Sequence, residues 1–219
     1  MTLTNTAAGP HHNEPILVVG EPLESAKAAM ILVHGRGANA TDILSLREHI
    51  GAAGFAYLAP QAADFTWYPQ SFLAPIEQNE PFLTSALATI DGVVTLVKEA
   101  GISAEKIVLG GFSQGACLAS EFVARNAQRF GGLFAFSGGL IGPPGTARAY
   151  AGSFEGMPAF FGCSDVDFHI PKDRVHESAA TFERMGANVT TRIYPGMPHT
   201  IIKDETDFVR SMVQGVISK

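Results

Sequence analysis

The stretch Lys106 to Gly115, KIVLGGFSQG, decides the fold. Ile107, Val108 and Leu109 form a short apolar run suited to a strand covered on both faces, and Gly110 and Gly111 end it. Ser113 then stands at the centre of Gly111-Phe112-Ser113-Gln114-Gly115, a G-x-S-x-G pattern. A strand that turns sharply into a helix brings backbone against backbone, so a Cβ at either flanking position would collide and the serine hydroxyl is left exposed. Leu118, Phe122 and Val123 give the following segment, Ala116 to Gln128, an apolar side, which predicts the helix that such an elbow opens. Ser113 is therefore a candidate nucleophile.

Outward from the elbow, strand and helix patterns alternate. Upstream, Ile16 to Val19 reads as an edge strand and Ala28 to Val33 as a central one, ending in the glycine-rich corner His34-Gly35-Arg36-Gly37-Ala38-Asn39. Thr41 is positioned to cap a helix running to Ala53, and Phe55 to Leu58 is the next strand. Periodicity fails from Gln61 to Pro81, where Trp67, Tyr68, Phe72 and Leu73 are expected to wall a substrate pocket; a helix from Pro81 to Ala100 follows. Downstream strands are expected at Leu133 to Phe136, Pro158 to Phe161 and Val189 to Tyr194, with helices ending near Met185 and spanning Asp204 to Val216. The loop from Ser137 to Gly145 reads as shape and flexibility at the pocket mouth. This alternation predicts an α/β fold with a mainly parallel sheet and helices on both faces, in which ligands bind beyond the carboxyl ends of the strands. Arg36, Ser113, Asp167 and His199 all fall at such ends.

At 219 residues the chain is long enough to bury its own core, and residues 16–219 are expected to form a single domain behind a mobile tail over 1–15. The formal charge of −6 argues against a nucleic-acid or anionic-membrane partner. No apolar run is long enough for a membrane span, and the tail has neither the basic start nor the apolar core of a signal peptide, so the cytoplasm is the expected compartment. Cys117 and Cys163 are too few for a disulfide framework and read as small buried side chains. His11 and His12 in the tail are expected to be inert. A homodimer is the expectation from general frequency alone.

A serine hydroxyl needs a base, and the base needs a group that holds its tautomer. His199 is the best base, because it follows the last strand on a turn stiffened by Pro195, Gly196 and Pro198, and an imidazole ordinarily titrates near ~6.5. His34 is expected to organise the glycine corner, His49 and His176 fall within helices, and His169, beside the acid loop, reads as structural or pocket-lining. Asp165 and Asp167 share one turn as candidates for the orienting acid, and the reading favours Asp167, leaving Asp165 as a loop-capping residue. Negative charge on the former carbonyl oxygen calls for backbone donors, expected from the N–H of Gln114 and the N–H of Arg36. The Arg36 side chain could pair with a surface carboxylate or meet one on the substrate, and the structural use is favoured.

The motifs His34-Gly35-Arg36-Gly37, Gly111-Phe112-Ser113-Gln114-Gly115-Ala116, Asp167-Phe168-His169-Ile170-Pro171 and Gly196-Met197-Pro198-His199 resemble the phospholipase/carboxylesterase family of small α/β-hydrolases, whose relatives include acyl-protein thioesterases. The likeness runs from about Ala29 to Val216. It implies the α/β-hydrolase fold and a serine hydrolase acting on small carboxylic esters or thioesters, with Ser113, Asp167 and His199 as the triad and no cofactor or metal. Two positions depart from the family's habit: Phe168 stands where a proline usually follows the aspartate, and Arg36 where thioesterase relatives often carry an apolar residue. The chain looks closer to small bacterial carboxylesterases, and hydrolysis of short to medium acyl esters is the expected activity. Dienelactone hydrolase-like enzymes, the nearest rivals, typically carry cysteine at the elbow, and a binding protein that has lost catalysis would not need the full set.

Overall fold

Thr2–Thr4 (β1), Pro15–Gly20 (β2), Ala28–Val33 (β3), Phe55–Pro60 (β4), Ile107–Phe112 (β5), Gly132–Phe136 (β6), Pro158–Ser164 (β7) and Asn188–Tyr194 (β8) form one sheet in the order β1-β2-β4-β3-β5-β6-β7-β8. The computed structural model describes residues 1–218. Strands β3 to β8 pair in parallel, while β1 pairs antiparallel with β2 and β2 with β4. Parallel pairing requires crossovers, supplied here by Ala40–Leu44 (α1) and Arg47–Ile50 (α2), Phe82–Glu99 (α3), Gln114–Arg125 (α4) and Lys172–Arg184 (α5), with a helix-free connection from β6 to β7; Lys203–Ile217 (α6) follows β8 and closes the chain.

The alternating side chains of the central strands feed two cores. Ala29, Ile31, Val33 and Leu109 face α3, α4 and α5, whereas Met30, Leu32, Val108 and Phe134 face α1, α2 and α6. Burial on both faces explains why β3 and β4 are apolar at every position.

Two local expectations need correction. The helix expected over 41–53 is two short ones, and Asn39, not Thr41, is the cap: its side chain accepts from the Asp42 N–H while the Asp42 carboxylate accepts from the Asn39 N–H. Ser45 turns its hydroxyl back onto the Asp42 carbonyl at 2.7 Å where α1 ends.

Residues 1–15 are likewise not a mobile tail. β1 adds an edge to the sheet, Asn5 bonds the His11 carbonyl and Thr89, and His11 is fully buried. His11 Nε2–H donates to the Trp67 carbonyl at 2.9 Å and Nδ1 accepts from the Ala63 N–H at 3.1 Å. Burial lowers its pKa, so the ring is neutral and serves as a two-ended connector for the 61–68 segment. The polar composition that suggests solvation is spent on this segment's backbone.

At the start of α6, Glu205 is fully buried. Its Oε2 accepts from the Ile202 N–H at 3.0 Å, while Oε1 lies against Gly162 and has no partner among the described residues. Burial outweighs the Ile202 hydrogen bond and raises this carboxyl to about 7. Below the ordinary carboxylate range, near ~4.3, both folded and unfolded chains hold the proton. Between there and about 7 only the folded chain does, so this group's effect on stability worsens as pH rises through that window. His11 and His34, buried and neutral, act in the opposite sense, because their lowered pKa makes folding less favourable as pH falls. A comparison with Glu205→Gln isolates the carboxyl. The melting temperature of the variant minus that of wild type should increase from pH 5 to pH 8 by about 5 °C, and a difference independent of pH would refute the account.

Candidate active site

Ser113 sits between β5 and α4 at φ 56°, ψ −121°, a conformation disfavoured for a residue with a Cβ and characteristic of a strained elbow. The helix begins at Gln114, two residues earlier than the apolar pattern suggests. A Cβ on Gly111 would come within 2.2 Å of the Val33 carbonyl oxygen, and one on Gly115 within 2.1 Å of that same oxygen and 2.5 Å of the His34 oxygen. The two glycines are thus required chiefly by the end of β3, which passes beneath the elbow. That contact also draws the glycine corner against Ser113.

The Ser113 hydroxyl lies 2.9 Å from His199 Nε2, and His199 Nδ1 lies 2.6 Å from Asp167 Oδ2. An ionised carboxylate only accepts, so Nδ1 carries the proton and Nε2 is free to accept from the serine. Asp167 Oδ1 in turn accepts from the N–H groups of His169 at 2.9 Å and Ile170 at 3.0 Å. Burial acts to raise the Asp167 pKa, but the hydrogen bonds from His199, Ile170 and His169 outweigh it and hold the carboxyl below its ordinary value. Asp165 is exposed and accepts instead from the Gly196 N–H at 2.8 Å, bracing the turn that carries His199. Of the two aspartates, then, Asp167 is the one brought to the histidine. The Cys163 thiol also reaches Asp167 Oδ2, at 3.8 Å, and burial together with that charge pushes it up to about 12.

On the other side of Ser113, His34 donates from Nδ1 to the Gly35 carbonyl at 2.8 Å and accepts at Nε2 from the Ala62 N–H at 3.1 Å. Burial lowers its pKa and keeps it neutral, as this two-sided role requires. The backbone N–H groups of Arg36 and Gln114 donate to no protein acceptor among the described residues, and both residues line the cleft that holds Ser113. Two free donors beside a serine hydroxyl can receive an anionic oxygen.

The cleft, about 360 Å³, is also lined by Tyr68, Phe72, Cys117, His169, Ile170 and His199. Of the four expected wall residues, Tyr68 and Phe72 are there, whereas Trp67 and Leu73 are not. Trp67 is fully buried behind the wall, with its indole N–H on the His34 carbonyl at 2.9 Å, and Leu73 packs against the core. The buried indole N–H needs an acceptor, and the His34 carbonyl supplies it on the inner side. His169, open from its sequence position to a structural or pocket-lining use, lines the cleft, whereas Cys117 and Ile170 were not expected in the wall. Cys117 was detectable as the residue one helical turn after Ser113, while Ile170 follows the aspartate in sequence. Burial raises the Cys117 thiol to about 12, so it lines the cleft as a neutral group.

The 137–145 loop is not loose at its start. Ser137 to Ile141 are buried; Arg174 donates to the carbonyls of Leu140 and Gly142, Arg148 to that of Ile141, and the Ile141 N–H to Glu121. The Gly142 N–H reaches the Phe72 carbonyl at 2.8 Å, joining this loop to the wall. No group of three His, Cys, Asp or Glu side chains suited to a metal occurs among the described residues, and no helix among them is long and apolar enough to cross a membrane.

The profile of the phospholipase/carboxylesterase family matches residues 14–217. The chain belongs to that family. A phospholipase/carboxylesterase from Dyadobacter fermentans superposes with a TM-score of 0.89 at 43% identity, covering 95% of this chain and 99% of that one. Acyl-protein thioesterase 1 of Debaryomyces hansenii is 26% identical over 94% of this chain and 98% of its own length. Zea mays acyl-protein thioesterase 2, at 19% identity and a TM-score of 0.70 over 92% of this chain and 98% of that one, shares the fold. This member of the phospholipase/carboxylesterase family is an ester hydrolase of the α/β-hydrolase fold, as its sheet order and its relatives show.

Proposed function

We propose that the enzyme hydrolyses short to medium acyl esters or thioesters of small molecules through an acyl-Ser113 intermediate. The observation that carries this reading is the continuous path Asp167–His199–Ser113, open at its serine end to a cleft with two free N–H groups. In the first step Ser113 Oγ bonds to the substrate carbonyl carbon while its proton moves to His199 Nε2. The oxygen of the tetrahedral intermediate takes its negative charge between the N–H groups of Arg36 and Gln114. Asp167 stays ionised and supports the imidazolium through Nδ1–H, a role suited to its lowered pKa. His199 then gives the proton to the departing alkoxide or thiolate, the C–O or C–S bond breaks, and the acyl group remains on Ser113. Water, deprotonated by His199, attacks that acyl carbon; the Ser113 Oγ–acyl bond breaks, His199 returns its proton to Oγ, and the acid leaves.

The acyl-length range is supported by the size of the cleft, toward the lower end of ligand sites of roughly 300 to 1,000 Å³. Tyr68 and Phe72, held by hydrogen bonds to their backbones, make a wall that does not widen easily. Two free, buried cysteines suit a reducing compartment, and the cytoplasm is the proposed location. A p-nitrophenyl ester series from acetate to dodecanoate, combined with a serine-directed phosphonate and peptide mapping, tests the reading. Turnover should be greatest among the short and medium esters, with the label on Ser113. Label on another residue would sink the mechanism, and turnover rising steadily to dodecanoate would sink the size limit.

A further inference from the structure

Three consecutive carbonyls of the cleft wall converge on one guanidinium. Arg36 Nη2 donates to Tyr68 O at 2.9 Å and to Gln70 O at 2.7 Å, while Nη1 donates to Pro69 O at 2.9 Å. Arg36 forms no ion pair with a carboxylate among the described residues. The second residue of the proposed oxyanion site also bonds this wall. Gln114 Nε2 also donates to Tyr68 O, at 2.8 Å, and its Oε1 accepts from the Trp67 N–H at 2.9 Å. Both residues whose backbone N–H groups face the cleft therefore use their side chains on the same four-residue segment.

Building on the serine-hydrolase reading, we propose that the Arg36 guanidinium is a positioning residue that locks wall segment 67–70 to the oxyanion corner. The corner follows β3 and the wall follows β4, and an irregular segment lacks ladder bonds of its own to hold it to its neighbour. A planar, permanently charged donor with a fork of N–H groups can satisfy three carbonyls at once, whereas an ammonium is a compact point donor with a different geometry. The charge also makes these bonds stronger than neutral ones. With the clamp in place, the Arg36 N–H, the Gln114 N–H and the Tyr68 ring keep one mutual geometry, so an acyl group seated against Tyr68 presents its carbonyl oxygen to both donors. Three of the guanidinium's five donors are thereby committed to the protein, which favours holding the wall over receiving a substrate carboxylate.

The test uses Arg36→Met and Arg36→Lys in the full chain, both of which keep the backbone N–H. With neutral p-nitrophenyl acetate and butyrate, kcat/KM should fall by about tenfold or more in both variants, with kcat included in the loss and the preference between the two esters reduced. Hydrogen exchange followed by mass spectrometry on the peptide covering 66–73 should be faster by about tenfold in both, while the melting temperature stays close to that of wild type. Wild-type kcat/KM in Arg36→Lys on these neutral esters would show that a positive charge suffices without the fork and overturn the clamp. Unchanged exchange in Arg36→Met would overturn it too. If wild type itself fails to turn over esters, the hydrolase reading falls, and the exchange measurement still decides whether Arg36 holds the wall.

Discussion

Ser113→Ala is expected to lower kcat for p-nitrophenyl butyrate on the order of 10⁵- to 10⁶-fold, the scale on which loss of a triad serine acts. Removing Oγ deletes the atom that forms the acyl bond and leaves His199 Nε2, 2.9 Å away in wild type, without a proton to take. The rest of the cleft is unchanged, because the elbow geometry is imposed by Gly111 and Gly115 against the Val33 carbonyl and not by the hydroxyl. Alanine bears the same Cβ as serine at φ 56°, so folding should be retained. Affinity for a non-hydrolysable ester analogue should therefore stay within a few fold of wild type. Steady-state kinetics and equilibrium binding on the same preparation provide the check. Turnover within tenfold of wild type would exclude Ser113 as the nucleophile, and loss of binding together with turnover would point to a misfolded elbow.

Asp167→Asn should lower kcat by about 10⁴-fold, while Asp165→Asn should leave it within a few fold of wild type. The carboxylate of Asp167 accepts from His199 Nδ1–H and from two backbone N–H groups. An asparagine can keep its carbonyl oxygen on the His169 and Ile170 N–H groups, but then its amide nitrogen faces His199. That donor opposes Nδ1–H and selects the tautomer in which Nε2 carries the proton and cannot accept from Ser113. Among the described residues the Asp165 carboxylate receives only the Gly196 N–H, which an asparagine oxygen also accepts, so its replacement leaves the His199 turn in place. Measuring both variants on one ester distinguishes the two acids, and the reverse pattern of losses would transfer the role to Asp165.

The elbow, the strand–helix alternation and the family were legible in the sequence because each is encoded among near neighbours. Apolar periodicity reports burial of a segment whatever it packs against, and the G-x-S-x-G spacing reports a steric need within five residues. The same local logic failed where polar side chains serve distant backbone. Asn5 and His11 look like part of a solvated tail, yet they hold Thr89, Ala63 and Trp67. Asn39 displaces Thr41 as a cap because a reciprocal pair with Asp42 satisfies two backbone donors where Thr41 offers no such pair.

By itself the sequence determined that a serine would stand at a strained turn between a buried strand and a helix, with an acid and a histidine at later strand ends. Asp167 over Asp165 and a structural use for Arg36 were favoured along the chain, but which aspartate meets His199, which aromatic faces the cleft and what the Arg36 side chain holds were decided by tertiary structure. His199 is 86 positions from Ser113 and 32 from Asp167, and these distances close only because β5, β6, β7 and β8 are successive neighbours in the sheet. Local conformation follows from sterics and burial along the chain. Contacts between loops follow from strand order, which brings the carboxyl ends of β3, β4, β5, β7 and β8 to one edge and lets hydrogen-bond geometry choose among the side chains gathered there.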